Sequence, residues 1–190
     1  LTRLPTMPTV LYWFRQDLRL SDNPALIEAL GAAESVVLCC PLPDDTAISH
    51  FGLPRMSRAR LAWWYQAIVG LADSVHSRGG RLLMPRGPAV QAIVDCAKRY
   101  DARVVYCEDL ATPEEQGEVE ALRTHGLEVR TRWQSTLLEP SRLPFEGAKL
   151  PAIYTDFRRR VEAAAVTPVV PLDAPANLAK TQVQADEQGG

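Results

Sequence analysis

Val10-Leu11-Tyr12-Trp13-Phe14 is an unbroken run of large apolar residues that stops abruptly at charge. So short a run, with no polar alternation, predicts a strand buried on both faces, the kind found in parallel sheets covered by helices on either side. Arg15, Asp17 and Arg19 then alternate within five residues, and Asn23-Pro24 supplies an N-cap followed by a proline at the first helical position. The chain is therefore expected to pass from a central strand, through a charged elbow, into a helix over about residues 24–33. The elbow residues are expected to form an internal salt-bridge network that fixes the loop.

The same grammar repeats along the chain. Ser35 to Cys40 is a second apolar run, ended by Pro41, and residues 42–55 lack periodicity and read as a long surface loop. Over residues 56–78, Leu61, Trp64, Ile68, Leu71 and Val75 recur at three- and four-residue steps, predicting an amphipathic helix that Gly79-Gly80 ends. Residues 81–85 make a third strand. Gly87-Pro88 opens a helix whose apolar face is Val90, Ile93, Val94 and Ala97, and residues 103–107 make a fourth strand. After a loop at 108–113, Thr112-Pro113-Glu114-Glu115 predicts a capping box and a helix reaching about His125. The more polar residues 127–131 suit a fifth strand near a sheet edge.

Five strands alternating with four helices predict an α/β fold: a doubly wound, mainly five-stranded parallel sheet with right-handed crossovers. Ligands of such sheets bind beyond the carboxyl ends of the strands, here the loops at 15–22, 41–55 and 108–113. The organisation read from the sequence is an extension at 1–8, the α/β core at 9–132, an irregular segment plus a helix at 133–166, and a proline-rich linker or frayed tail at 167–190.

At 190 residues and 46% hydrophobic, the chain has enough apolar content for a real core. A net charge of -2 lacks the basic excess of a domain whose affinity rests on phosphate contacts. Cys39, Cys40, Cys96 and Cys107 have no metal-ligand spacing and fall in apolar runs, as expected of buried thiols in a reducing cytoplasm. No stretch approaches a membrane span, and the first residues do not form a signal peptide. The loop after the first strand contains no glycine, so neither a dinucleotide fingerprint nor a P-loop is present there. His50, His76 and His125 are scattered, and only His50 falls in a site-facing loop. Glu114 and Glu115 at a helix start oppose an anion, whereas a ring bearing N–H donors would find acceptors there.

The elbow and two later stretches together resemble the N-terminal domain of the DNA photolyase and cryptochrome family. WFRQDLRLSDNPAL, from Trp13 to Leu26, is close to the family's opening signature. HFGLPRMSRARL from His50, and WQSTLL, LPF and YTDFRRRVE between Trp133 and Glu162, look like the DASH cryptochrome branch. The resemblance implies light-driven DNA repair enzymes or blue-light photoreceptors in which this α/β domain binds an antenna chromophore, commonly methenyltetrahydrofolate. The chromophore passes excitation energy to FAD in a larger helical domain beyond the linker, which also carries the electron-transfer tryptophans and the DNA groove. On that reading the chain alone neither repairs nor directly contacts DNA, and its partner is the helical FAD domain. Trp13, Trp63, Trp64 and Trp133 are then packing residues. Glu114 matches an acidic residue that holds the pterin, while Asp109 and His50 lie near other contacts. Where the DASH pattern has a glutamine-glutamate pair, this chain has Asp109-Leu110, and leucine accepts no hydrogen bond from a pterin. Arg15, Asp17, Arg19 and Asn23 match residues that support structure and the domain interface, so none is expected to be catalytic. Two alternatives remain: an interaction module that has lost the chromophore site, and an adenine-nucleotide-binding domain, which the glycine-poor first loop opposes.

Overall fold

The computed structural model describes residues 8–43, 48, 51–146 and 149–181. Five strands, β1 (Thr9–Trp13), β2 (Ser35–Cys39), β3 (Leu82–Leu83), β4 (Val104–Asp109) and β5 (Glu128–Trp133), form one sheet in the order β3-β2-β1-β4-β5. Every pairing is parallel. The helices are α1 (Pro24–Ala32), α2 (Arg58–His76), α3 (Ala89–Arg99), α4 (Pro113–Thr124) and α5 (Tyr154–Ala163).

Alternation along each strand builds two cores. Val10, Tyr12, Phe14, Val36, Leu38 and Tyr106 pack under α1 and α2, through residues such as Leu26, Trp64 and Ile68. Leu11, Trp13, Val37, Cys39, Val105 and Cys107 pack under α3 and α4. Because β1 and β2 are buried on both faces, their apolar runs show no polar alternation. Each fully buried Leu or Val contributes roughly 1.5–3 kcal/mol relative to exposure.

Several local expectations are corrected. Glu108 and Asp109 continue β4 rather than opening a loop, because β5 extends to Trp133 and keeps pairing with them (Glu108↔Arg132, Asp109↔Trp133). Pro88 is the N-cap of α3 rather than its first residue. No capping box forms at α4: Thr112 makes no side-chain cap, and its hydroxyl donates instead to the Glu115 carboxylate. Trp13 and Trp64 are core residues, but Trp63 is 60% exposed on the outer face of α2 and is not packing.

The segment read as a linker or frayed tail is docked over residues 172–181. Leu178 and Thr181 are fully buried, and the Asp22 N–H donates to the Leu172 carbonyl at 2.7 Å. Lys180 Nζ donates to the Leu30 and Ala33 carbonyls, placing a cation at the C-terminus of α1 where the helix dipole favours one. Gly80 allows this approach. A Cβ there would lie 2.6 Å from Thr181 Oγ1 and 2.8 Å from Leu178 Cβ.

Candidate functional site

The strand order reverses at β1, whose neighbours are β2 on one side and β4 on the other. A ligand crevice is therefore expected at the carboxyl ends of β1 and β4. Both ends are polar and buried. On the α1 side, Asp17 is fully buried and accepts from four donors: the Tyr12 hydroxyl, Asn23 Nδ2 at 3.1 Å, Gln134 Nε2 at 2.7 Å and the Arg15 backbone N–H at 2.9 Å. Burial pushes the Tyr12 phenol well above its usual value, and Asp17 adds to this, so the phenol stays protonated and donates. Asn23 Oδ1 caps α1 by accepting from the Leu26 N–H at 3.0 Å. Gln134 Oε1 accepts from the Ala25 N–H, tying the segment after β5 to the same helix start.

The elbow is not an internal salt-bridge network. Asp17 is satisfied by neutral donors, which make strong charge-assisted bonds without a cation. Arg19 donates to the Asp22 and Gln134 carbonyls, at 3.0 and 2.7 Å. Arg15 turns to the other side of the sheet. It lies over the Trp13 ring at 4.6 Å, donates to the Glu108 and Glu115 carbonyls, and pairs with Glu118 at 2.6 Å. Its guanidinium thus bridges β1 to the first turns of α4.

Glu108, beside Asp17, is 1% exposed, and its Oε2 has no hydrogen-bond partner. Burial and the Asp17 charge raise its carboxyl from 4.5 to about 7, against the opposing pull of Arg19, the Gln16 N–H and Arg15.

Between α4 and the ends of β4 and β5 lies a pocket of about 430 Å³, lined by Arg15, Asp109, Leu110, Gln116, Glu120 and Thr131 among others. Asp109, Gln116 and Glu120 bring acceptors to the lining, Leu110 and Val119 bring apolar surface, and Arg15 and Arg123 bring cations, Arg123 pairing with Glu120 at 3.4 Å. Asp109 therefore stands in the pocket. Glu114 is not among its lining residues: it is exposed on the helix start and ion-paired with Arg55 from the loop before α2. His50 lies outside the described residues. Tyr12, Glu108, Glu118 and Gln134 had no site signal of their own in the sequence; for Gln134 the one cue was its place in the WQSTLL stretch. Among the described residues no cluster of three metal-ligating side chains occurs, and no helix is long and apolar enough to cross a membrane.

Comparison with known proteins agrees with this architecture. The DNA photolyase family model matches residues 10–176. Cryptochrome DASH of Natronomonas pharaonis is 35% identical over 164 residues, covering 84% of this chain and 35% of that protein. Cryptochrome DASH of Synechocystis is 37% identical over 161 residues, covering 82% of this chain and 33% of that protein. Among solved structures, a Synechocystis cryptochrome superposes with a TM-score of 0.85 at 31% identity, over 93% of this chain and 38% of the other. A class III photolyase from Agrobacterium tumefaciens gives 0.75 at 28% identity, over 99% of this chain and 38% of the other. An archaeal photolyase from Sulfolobus tokodaii, described with two FAD molecules as implying a novel light-harvesting cofactor, shares the fold at a TM-score of 0.68 and 19% identity, over 94% of this chain and 43% of the other. The chain spans about a third of the length of the curated relatives it matches. The match over nearly all of these residues, on the five-stranded parallel sheet described above, shows that the chain belongs to the DNA photolyase family and corresponds to its N-terminal domain.

Proposed function

We propose that this domain holds a light-harvesting chromophore with a heterocyclic, N–H-bearing ring, methenyltetrahydrofolate being the leading ligand. The observation that carries this reading is the pocket beyond β4, where Asp109 offers a carboxylate acceptor beside the apolar Leu110 and Glu120 offers a second, shared with Arg123. The residues fit such a ring in kind. Asp109 and Gln116 would accept from or donate to its edge, Leu110 would cover its face, and no phosphate-binding glycine loop is needed. Glu114, held by Arg55, lies outside the lining and would have to exchange that partner to reach a ligand. Such a chromophore would supply absorption of near-ultraviolet and blue light and transfer of the excitation energy.

Flavin photochemistry and DNA contact are assigned to the part of the relatives that this chain does not span. Support comes from the large apolar side chains left exposed, Trp63 on α2 and Leu137, Ile153 and Tyr154 after β5, which suit cover by a helical FAD-type domain. A cytoplasmic setting accompanies this reading, since all four cysteines are free thiols.

The test is reconstitution. The purified chain is mixed with methenyltetrahydrofolate, passed through a desalting column and scanned. Co-elution of a near-ultraviolet absorption band is expected, and a colourless protein peak with all folate in the small-molecule fraction would overturn the proposal.

A further inference from the structure

The four free thiols are not equivalent. Cys39 ends β2 and lies in the core under α3 and α4, whereas Cys40, one position on, lies in the opposite core under α1 and α2. Cys96, on α3, packs against the Cys39 side, and the two sulfurs stand 3.7 Å apart although 57 positions separate them in the chain. Cys107 shares that core but belongs to β4, with β1 between it and β2, a gap of about 9–10 Å at the usual strand spacing. The sheet therefore selects one pair of sulfurs. Cys39 is fully buried and Cys96 is half-buried, so only Cys96 is open to a small solute.

We infer that Cys39 and Cys96 form a redox-active dithiol, a modification site at which a peroxide converts the two thiols into a disulfide joining β2 to α3. The Cys96 thiolate attacks one peroxide oxygen and breaks the O–O bond. One water leaves, and Cys96 becomes a sulfenic acid. The Cys39 sulfur then attacks the Cys96 sulfur: the S–S bond forms, the S–O bond breaks, and the hydroxyl departs with the Cys39 proton as a second water. Two thiols are oxidised and one peroxide is reduced to two waters. The order follows from the environment. The hydrogen bond from Cys39 lowers the Cys96 thiol and Arg99 adds to this, against the opposing pull of burial and the Asp95 charge, while the same bond and burial push Cys39 up. Closing the sulfurs from 3.7 Å to about 2.05 Å would anchor the end of β2, from which the loop bearing Arg55 departs.

The test is titration of the purified chain with hydrogen peroxide, followed by proteolysis and mass spectrometry under non-reducing conditions. The expected result is loss of two hydrogens per chain and a single cross-linked peptide pair, reversed by dithiothreitol. Because Cys39 and Cys40 fall on one tryptic peptide, the link should persist in Cys40→Ala and Cys107→Ala and vanish in Cys39→Ala and Cys96→Ser. Circular dichroism matching the parent would show that the variants are folded. Oxidation should also raise the parent's melting temperature and leave that of Cys96→Ser unchanged. Three results would overturn the inference: a link through Cys40 or Cys107, stable sulfenic or sulfinic Cys96 without a link, or thiols that survive peroxide sufficient to oxidise free cysteine.

Discussion

Replacing Glu108 with glutamine should stabilise the domain in mild base and leave it unchanged in acid. Glu108 is buried at the end of β4 with one carboxyl oxygen unpartnered, and burial together with the Asp17 charge raises it from 4.5 to about 7. Since the folded state holds this proton more tightly than the unfolded chain, the associated stability is fully present below about pH 4.5. It is lost as pH rises through about 7. At about 1.36 kcal/mol per pH unit the full span is on the order of 3 kcal/mol, of which about 2.5 kcal/mol falls between about pH 5 and about pH 8. Urea unfolding of the parent and of Glu108→Gln at these two pH values measures it. Titrating groups common to both proteins cancel in the difference, so the variant's advantage at the higher pH should approach 2 to 3 kcal/mol (roughly, by the same linkage) and shrink sharply at the lower. Parallel loss of stability in the two proteins would refute the assignment of a raised carboxyl to Glu108.

Removing the hydroxyl with Tyr12→Phe takes one donor from the buried Asp17 carboxylate and should cost about 1–3 kcal/mol in the same urea experiment. Gly80→Ala puts a methyl where Thr181 and Leu178 already sit, and should cost about 1–3 kcal/mol while increasing proteolysis within residues 172–181. Arg55→Ala breaks an exposed ion pair, so its stability should change by less than about 1 kcal/mol. Any effect of that variant on folate retention would then report on Glu114 and not on folding.

Elements held by local chemistry were legible before any coordinates. The unbroken runs at β1 and β2, the Asn23 cap and the prolines opening α1 and α4 each act within a few residues, and together with the later strand runs at 81–85, 103–107 and 127–131 they suffice for a five-stranded parallel sheet. Glu108 was misplaced because charge normally ends a strand, and only pairing with β5 keeps it in the ladder. The elbow's partners were illegible for a different reason. Gln134 lies 117 positions from Asp17 and Glu118 lies 103 from Arg15, so the sheet order, not local pattern, brings them together. Alternating Arg-Asp-Arg therefore read as one network, whereas the sheet sends Arg15 to one face and Asp17 to the other. The docked stretch at 172–181 follows Pro168 and Pro171 and contains Pro175, so it resembles a linker, and its few anchors, Leu178, Lys180 and Thr181, carry no periodic signal. The pocket is legible only in part: Asp109 stands out in the sequence, whereas the acidic start of α4, which also stands out, lies outside the lining, and Gln116, Glu120 and Thr131 become neighbours only once α4 crosses back to β5.

The claim on which the account turns is that Asp109 and its pocket receive the ring of a light-harvesting folate. Equilibrium titration with methenyltetrahydrofolate, followed by quenching of the chain's tryptophan emission or by the folate's own emission, measures it directly in the parent and in Asp109→Leu. The account predicts saturable binding by the parent and at least about tenfold weaker binding by the variant, equivalent to about 1.4 kcal/mol. Equal affinities in the two proteins, or a parent that binds no folate, would contradict it.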